Sequence, residues 1–282
     1  MSKPTVFISY SHKDEDWKDR LVTQLGVLKE EGILDLWDDR RIEAGEDWYQ
    51  KIQEAMNAAS VAILMVSANF LTSKFILNEE VPRLLERREK EGMRVFPVIV
   101  KPCAWKRVKW LARMQLRPKD GNPLSAGDEH QIDVDLAAIA EEVAAIIDQS
   151  YVEMAKQLIT SYANQWGIGI LGIEKACESF YGTNSYCAHV NDGKGIIYCH
   201  ADGKYKDMVF CVRRGIGYYY KKIIGGAASP LGLPITDEQI SESTKKPTSF
   251  FEGGYIEWDP RTSVARAVVT RSRSYILGEK KL

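Results

Sequence analysis

At 282 residues the chain is long enough for one large or two ordinary domains. Its 45% apolar and 27% charged residues are those of a globular protein, and a net charge of −1 gives no general reason to expect nucleic acid or a membrane surface as partner. No stretch approaches the ~20 apolar residues of a membrane span. Met1-Ser2-Lys3-Pro4 runs straight into a β-prone stretch, so no signal peptide and a cytoplasmic location are expected. The cysteines (103, 177, 187, 199, 211) are odd in number and read as cytosolic thiols. Cys187, His189, Cys199 and His200 crowd together, but C-x-H followed by C-H fits no standard zinc spacing, and no metal is expected. Charge divides mildly, with 21 basic against 26 acidic residues in 1–150 and 17 against 13 in 151–282.

In chain order, residues 5–10 form a short apolar, β-prone run. Residues 14–29 carry Trp17, Leu21, Leu25 and Leu28 at helical spacing. Residues 33–37 read as a second strand, and 49–59 as a helix with Ile52, Met56 and Ala59 on one face. Residues 61–66 are almost continuously apolar, as expected of a strand covered on both faces. A charged helix follows at 79–91, then a fourth strand at 95–100, a short fifth at 115–117 and an amphipathic helix at 133–148.

Strands alternating with helices of this length imply a parallel sheet with helices on both faces. Right-handed crossovers then give an α/β, flavodoxin-like, five-stranded layout over residues 1–148. In such sheets the functional crevice lies beyond the C-terminal strand ends, here 9–13, 38–48, 67–75 and 102–109. The second half differs in kind and holds 15 of the 21 glycines. Residues 149–181 read as a mostly helical connector with an apolar stripe at Met154, Leu158 and Ile159. Residues 182–282 read as a smaller glycine-rich mixed α+β or mainly β domain, with β-prone runs at 195–199, 208–212, 217–220, 255–258 and 263–270.

Four segments, in order, resemble the Toll/interleukin-1 receptor (TIR) family of bacterial type. Phe7-Ile8-Ser9-Tyr10-Ser11-His12-Lys13-Asp14 is similar to its first box. Trp37-Asp38-Asp39-Arg40-Arg41-Ile42-Glu43-Ala44-Gly45-Glu46-Asp47-Trp48 is similar to its second strand and the BB loop after it. Ser67-Ala68-Asn69-Phe70-Leu71-Thr72-Ser73-Lys74-Phe75, followed by Asn78-Glu79-Glu80-Val81-Pro82, resembles the segment that delivers the catalytic glutamate in TIR NAD⁺ hydrolases. Arg94-Val95-Phe96-Pro97-Val98-Ile99-Val100 matches the fourth strand.

Many TIR domains are adaptors, so fold alone does not give chemistry. Cleaving the nicotinamide–ribose bond passes through an oxocarbenium-like state with an already cationic leaving group. One carboxylate that holds ribose hydroxyls and stabilises positive charge is what helps. Glu79 and Glu80 both qualify. Glu80 is favoured because it precedes Val81, which with Leu84 and Leu85 forms an i, i+3, i+4 stripe. The resemblance implies substrate contacts at Trp48 and Phe75, where relatives place rings. It also implies contacts at Ser11 and His12, where some active relatives carry arginines facing phosphates; here Arg40 or Arg41 would substitute. Glu79 is counted among the substrate-binding residues.

The resemblance implies NAD⁺ as substrate, no separate cofactor, and activation when TIR domains stack through the BB loop. An assembly-activated antiphage or stress effector is the first reading. A non-catalytic scaffold and a cyclase making a cyclic ADP-ribose messenger are the alternatives. Leu231-Gly232-Leu233-Pro234-Ile235-Thr236-Asp237-Glu238 with the run 250–258 resembles one LGFP repeat. The second half is expected to sense an unidentified ligand or phage protein, or to oligomerise. The interleaved Trp105, Lys106, Arg107 and Trp110 form a single short basic–aromatic segment in a net-acidic domain, so no nucleic-acid partner is expected.

Overall fold

Four short strands in the first half carry almost no solvent-facing side chains, and this dictates how they assemble. They are β1 (Thr5–Ser9), β2 (Asp35–Trp37), β3 (Ala59–Val66) and β4 (Arg94–Ile99). They pair in the order β2-β1-β3-β4, all parallel. β3 is buried everywhere except at Ser60, as a strand covered on both faces must be. The computed structural model describes residues 3–119, 121–193, 195–271 and 275–281. The chain divides into two compact units, Met1–Gln149 and Ser150–Leu282.

In the first unit, α1 (Glu15–Glu30) buries Leu21, Leu25 and Leu28, the helical stripe expected from their spacing. Helix α2 (Trp48–Ala58) buries Ile52, Ala55 and Met56, and α3 (Val81–Glu91) buries Val81 and Leu84. The buried side chains of α2 and α3 meet Phe7, Leu64 and Val66 in one core cluster.

The expected fifth strand is reduced to one parallel bridge between Val98 and Arg117, so the regular sheet has four strands rather than five. The Arg117 N–H donates to Pro97 O and its carbonyl accepts from Ile99 N. Pro118 follows, and its missing N–H stops the ladder there.

The helix at 133–148 and most of the connector merge into one helix, α4 (Glu129–Gln165). Ile132, Leu136, Ile139, Ala140, Val143 and Ile147 are its buried residues in the first unit, and Ala155, Ile159 and Ala163 those in the second. The rest of the connector is not helical, because β5 (Ile170–Lys175) begins five residues after the helix ends.

The second unit holds two antiparallel sheets. In one, β5 pairs with β6 (Ser185–Val190), which pairs with β7 (Ile196–His200) and that with β8 (Val209–Val212). In the other, β9 (Gln239–Ile240), β10 (Pro247–Phe251), β11 (Gly254–Asp259), β12 (Val264–Val269) and β13 (Tyr275–Lys281) form a meander. A side chain at Gly254 would place Cβ 1.9 Å from the Val268 carbonyl oxygen, so only glycine lets β11 and β12 approach there.

The expected strand at 217–220 is instead part of α5 (Arg214–Tyr219) and a following π turn. Ile216, Tyr219 and Tyr220 are all fully buried in one cluster. Their i, i+3, i+4 spacing suits a helix and contradicts strand alternation. Tyr220 satisfies its buried hydroxyl by donating to Gly232 O at 2.7 Å.

Candidate active site

The carboxyl ends of β1 and β3 are tied together by a buried polar knot. Asp14, in the turn after β1, accepts from Ser67 Oγ at 2.5 Å, Asn69 Nδ2 at 3.1 Å and Lys101 Nζ at 2.6 Å. Burial pushes the Asp14 carboxyl up, but the hydrogen bonds from Lys101, Ser67 and Asn69 outweigh it and hold the group below its ordinary value. The knot joins the loops after β1, β3 and β4, and so fixes the rim of the sheet from which a site can be built.

Beside it opens a cavity of about 650 Å³, within the range of small-molecule sites. Phe7, Trp37, Ile42, Ile52 and Ile76 make its apolar wall. Glu80 lines it with only 6% of its surface exposed. Ser9, two residues after Phe7 and so on the same strand face, donates its hydroxyl to Glu80 Oε2.

How Glu80 reaches the cavity is decided by backbone. Residues Ile76–Glu80 form a π turn in which the Val81 N–H donates to the Ile76 carbonyl. In an i→i+5 turn, residues five apart are stacked, which puts Phe75 and Glu80 on the same side. Both line the cavity. Burial lifts the Glu80 carboxyl to about 7, with the Ser9 hydrogen bond pulling it down and the nearby Asp39 charge adding to the rise. Within the domain this carboxyl therefore exchanges its proton near neutrality.

Of the residues expected at the site, Glu80, Ser11, His12, Trp48 and Phe75 line the cavity together. Trp48 is 53% exposed and packs edge-on against Phe75, with ring centroids 5.2 Å apart. Two expected residues do not line it. Glu79 is exposed, and its Oε2 accepts from Tyr49 Oη at 3.1 Å. Arg40 is held between Asp38 and Asp19, each at 3.0 Å, which satisfies its guanidinium away from the cavity. Arg41 forms a two-pronged pair with Asp35 and is likewise engaged.

Among the polar residues at the cavity, Tyr10, Asp39 and Ser9 escaped the sequence reading. Tyr10 Oη donates to Asp39 Oδ1 at 2.7 Å, and His12 Nδ1 lies 3.4 Å from Asp39 Oδ2. Both Tyr10 and Asp39 line the cavity, and Ser9 holds its glutamate. A polar residue closing an otherwise apolar strand on the Phe7 face was the available signal for Ser9. Nothing local marks Asp39 among the six acidic residues from 35 to 47.

The loop from β2 to α2 is itself structured. Asp47 caps α2, accepting from Tyr49 N at 3.0 Å and Gln50 N at 3.1 Å. Gly45 sits at φ +96°, where other residues are strained.

The four-stranded parallel sheet with a polar, aromatic-rimmed cavity beyond its strand ends defines a flavodoxin-like α/β domain whose site is borne on loops. Residues 6–131 match the family model described as TIR domain, and this part of the chain is a TIR domain. A stretch of 122 residues is 38% identical to "Uncharacterized protein y4lF" of Sinorhizobium fredii (strain NBRC 101917 / NGR234), covering 43% of this chain and 38% of that protein. The chain thus matches well under half the length of that relative. Among solved structures, the TIR domain of the Toll-related receptor TRR-2 from Hydra magnipapillata is 19% identical. That alignment covers 39% of this chain and 80% of the other at a TM-score of 0.30. The TIR domains of the activated Roq1 resistosome, which directly recognizes the pathogen effector XopQ, are 23% identical. They cover 49% and 84% at a TM-score of 0.31.

The expected crowding of Cys187, His189, Cys199 and His200 resolves into separate environments. His189 Nδ1 lies 2.8 Å from Lys221 Nζ, and His200 Nε2 lies 2.8 Å from Pro234 O. Burial pushes the Cys187 thiol up to about 11 and the Cys199 thiol up to about 12, so both stay protonated at neutral pH. No helix among the described residues is long and apolar enough to cross a membrane.

Proposed function

We propose that the cavity beyond β1 and β3 cleaves the nicotinamide–ribose bond of NAD⁺, with Glu80 as the catalytic carboxylate. The observation that carries this reading is a single buried carboxyl, 6% exposed, at a cavity rimmed by Trp48 and Phe75. The rings offer stacking for flat, cationic nicotinamide. As the C1′–N bond breaks, its electron pair returns to the pyridinium nitrogen and positive charge moves onto the ribose. A carboxylate in a low-dielectric site stabilises that charge more strongly than water does. Water then adds at C1′ and loses a proton, giving ADP-ribose.

The raised Glu80 carboxyl suits this task. Binding a cationic ring beside it favours the ionised form, so the charge appears when substrate is present and its cost is partly relieved in the complex. Tyr10 and Asp39 supply a second polar edge to the cavity, available to ribose hydroxyls. Self-association through the loop that leads into Trp48 is part of the proposal, because Trp48 at the cavity mouth and its neighbour Tyr49 remain 53% and 42% exposed.

Chromatography of NAD⁺ incubated with the full chain tests the reading. Equal molar release of nicotinamide and ADP-ribose is expected. A cyclic ADP-ribose isomer in place of ADP-ribose would reassign the second step to an internal nucleophile. Intact NAD⁺ at high protein concentration would favour a non-catalytic scaffold and overturn the proposal.

A further inference from the structure

The second unit holds a cavity of its own, about 290 Å³, at the end of β7 and the turn between β10 and β11. Two side chains of each sign line it, Lys204 and Arg271 against Asp202 and Glu252. Their local bonds do not neutralise them. Asp202 accepts from the Asn184 backbone N–H at 3.1 Å and from Asn184 Nδ2 at 2.9 Å. Glu252 accepts from Thr183 Oγ1 and, at 2.8 Å, from Leu233 N. All of these donors are neutral. The cations rest on aromatic faces, Arg271 at 4.3 Å from the Tyr181 ring centroid and Lys204 Nζ at 5.2 Å from that of Tyr205. Among the described residues none of the four is in an ion pair.

His200 adds a fifth observation. It lines the same cavity and is 1% exposed. Its Nε2 faces the Pro234 carbonyl oxygen at 2.8 Å, which can only accept, so Nε2 carries the proton. Burial holds the ring below its ordinary value, against the opposing pull of Pro234 O, Glu252 and Asp202, so at neutral pH Nδ1 is a bare acceptor. Nδ1 has no partner among the described residues. Nδ1 is itself shut off from the cavity, so the neutral ring closes the wall and adds no charge to the two pairs.

We propose that this cavity binds a free α-amino acid. Its carboxylate would face Arg271 and Lys204, and its ammonium would face Glu252 and Asp202. A simple anion would meet two carboxylates, and a simple cation would meet two bases. A zwitterion answers both pairs at once. The volume lies just below the range typical of drug-sized ligands, which suits an amino acid and excludes a dinucleotide such as NAD⁺. The inference is independent of the reading of Glu80, since every residue it uses lies in the second unit.

Titration calorimetry of the full chain against each of the common L-amino acids, one at a time up to millimolar concentration, tests it. At least one should give saturable binding. Its deaminated carboxylic acid and its decarboxylated amine should each bind at least about tenfold more weakly, the scale of one charge-assisted contact. Arg271→Ala and Lys204→Ala change exposed side chains, and each should weaken binding about tenfold while the circular-dichroism melt is retained. Absence of binding by every amino acid would overturn the proposal. So would equal binding of the carboxylic acid or the amine, or binding unaffected in both variants.

Discussion

Replacing Glu80 by glutamine should make the first unit more stable at alkaline pH and leave it nearly unchanged at acid pH. The carboxyl moves from an ordinary value of 4.5 to about 7 in the folded chain because burial penalises its charge. Folding therefore favours the protonated form. The preference is fully present below about 4.5 and is lost as pH rises through about 7. At about 1.4 kcal/mol per pH unit, ionisation costs the wild-type fold about 3 kcal/mol by pH 8. Glu80 is 6% exposed, so solvent screening takes little from this figure. Glutamine keeps the size and still accepts from Ser9, but never ionises. Whatever constant offset the amide introduces, the stability gap between variant and wild type should widen by about 3 kcal/mol from pH 4.5 to pH 8. Urea titration followed by tryptophan fluorescence reads this, because residues 17, 37, 48, 105 and 110 of the seven tryptophans lie in the first unit. With an m-value of about 2 kcal/mol/M, the midpoint difference should grow by about 1–2 M. A midpoint difference that stays constant with pH would refute the buried, neutral-leaning carboxyl.

The same ionisation should govern the proposed reaction: kcat/KM for NAD⁺ should rise about tenfold per pH unit below 7 and level off above about 8, and a flat profile from pH 5.5 to 8.5 would exclude Glu80 as the ionising group. Asp47→Ala removes the cap of α2 and should cost about 1 kcal/mol in urea titration; an unchanged midpoint would show that the capping bonds contribute nothing. Arg40→Ala should change the KM for NAD⁺ less than twofold, since its guanidinium is held by Asp38 and Asp19; a tenfold rise in KM would place it on the substrate. Trp48→Ala removes an exposed ring at the cavity mouth and should raise KM several-fold with the fold intact, which steady-state kinetics and circular dichroism check together.

The parallel sheet was legible because β1, β3 and β4 are near-continuous apolar runs, and such runs need cover on both faces. Of the four TIR segments, three lie at the carboxyl ends of β1, β2 and β3, where loops carry function, and the fourth is β4 itself. What escaped has physical causes. The 115–117 segment pairs once and is stopped by Pro118, so its β-prone residues overstated it. Residues 217–220 look like an aromatic strand, yet Ile216, Tyr219 and Tyr220 bury together only on a helix. At the site, the preference for Glu80 over Glu79 rested on the Val81, Leu84, Leu85 stripe. That stripe could not show the π turn that carries Phe75 and Glu80 to one side. Arg40 looks available for phosphates in sequence because one of its partners, Asp19, lies on α1, far from it along the chain. Asp39 and Tyr10 meet across 29 residues, a pairing that no local spacing marks.

Nicotinamide release from NAD⁺ by the full chain, measured side by side for wild type, Glu80→Gln and Glu79→Gln at equal high protein concentration, weighs most. The wild type and Glu79→Gln should turn over within a factor of about three of each other. Glu80→Gln should fall at least ~10²-fold, the scale of a removed electrostatic stabiliser, while remaining folded. Full activity in Glu80→Gln, or its loss only in Glu79→Gln, would contradict the assignment of this cavity as the catalytic centre.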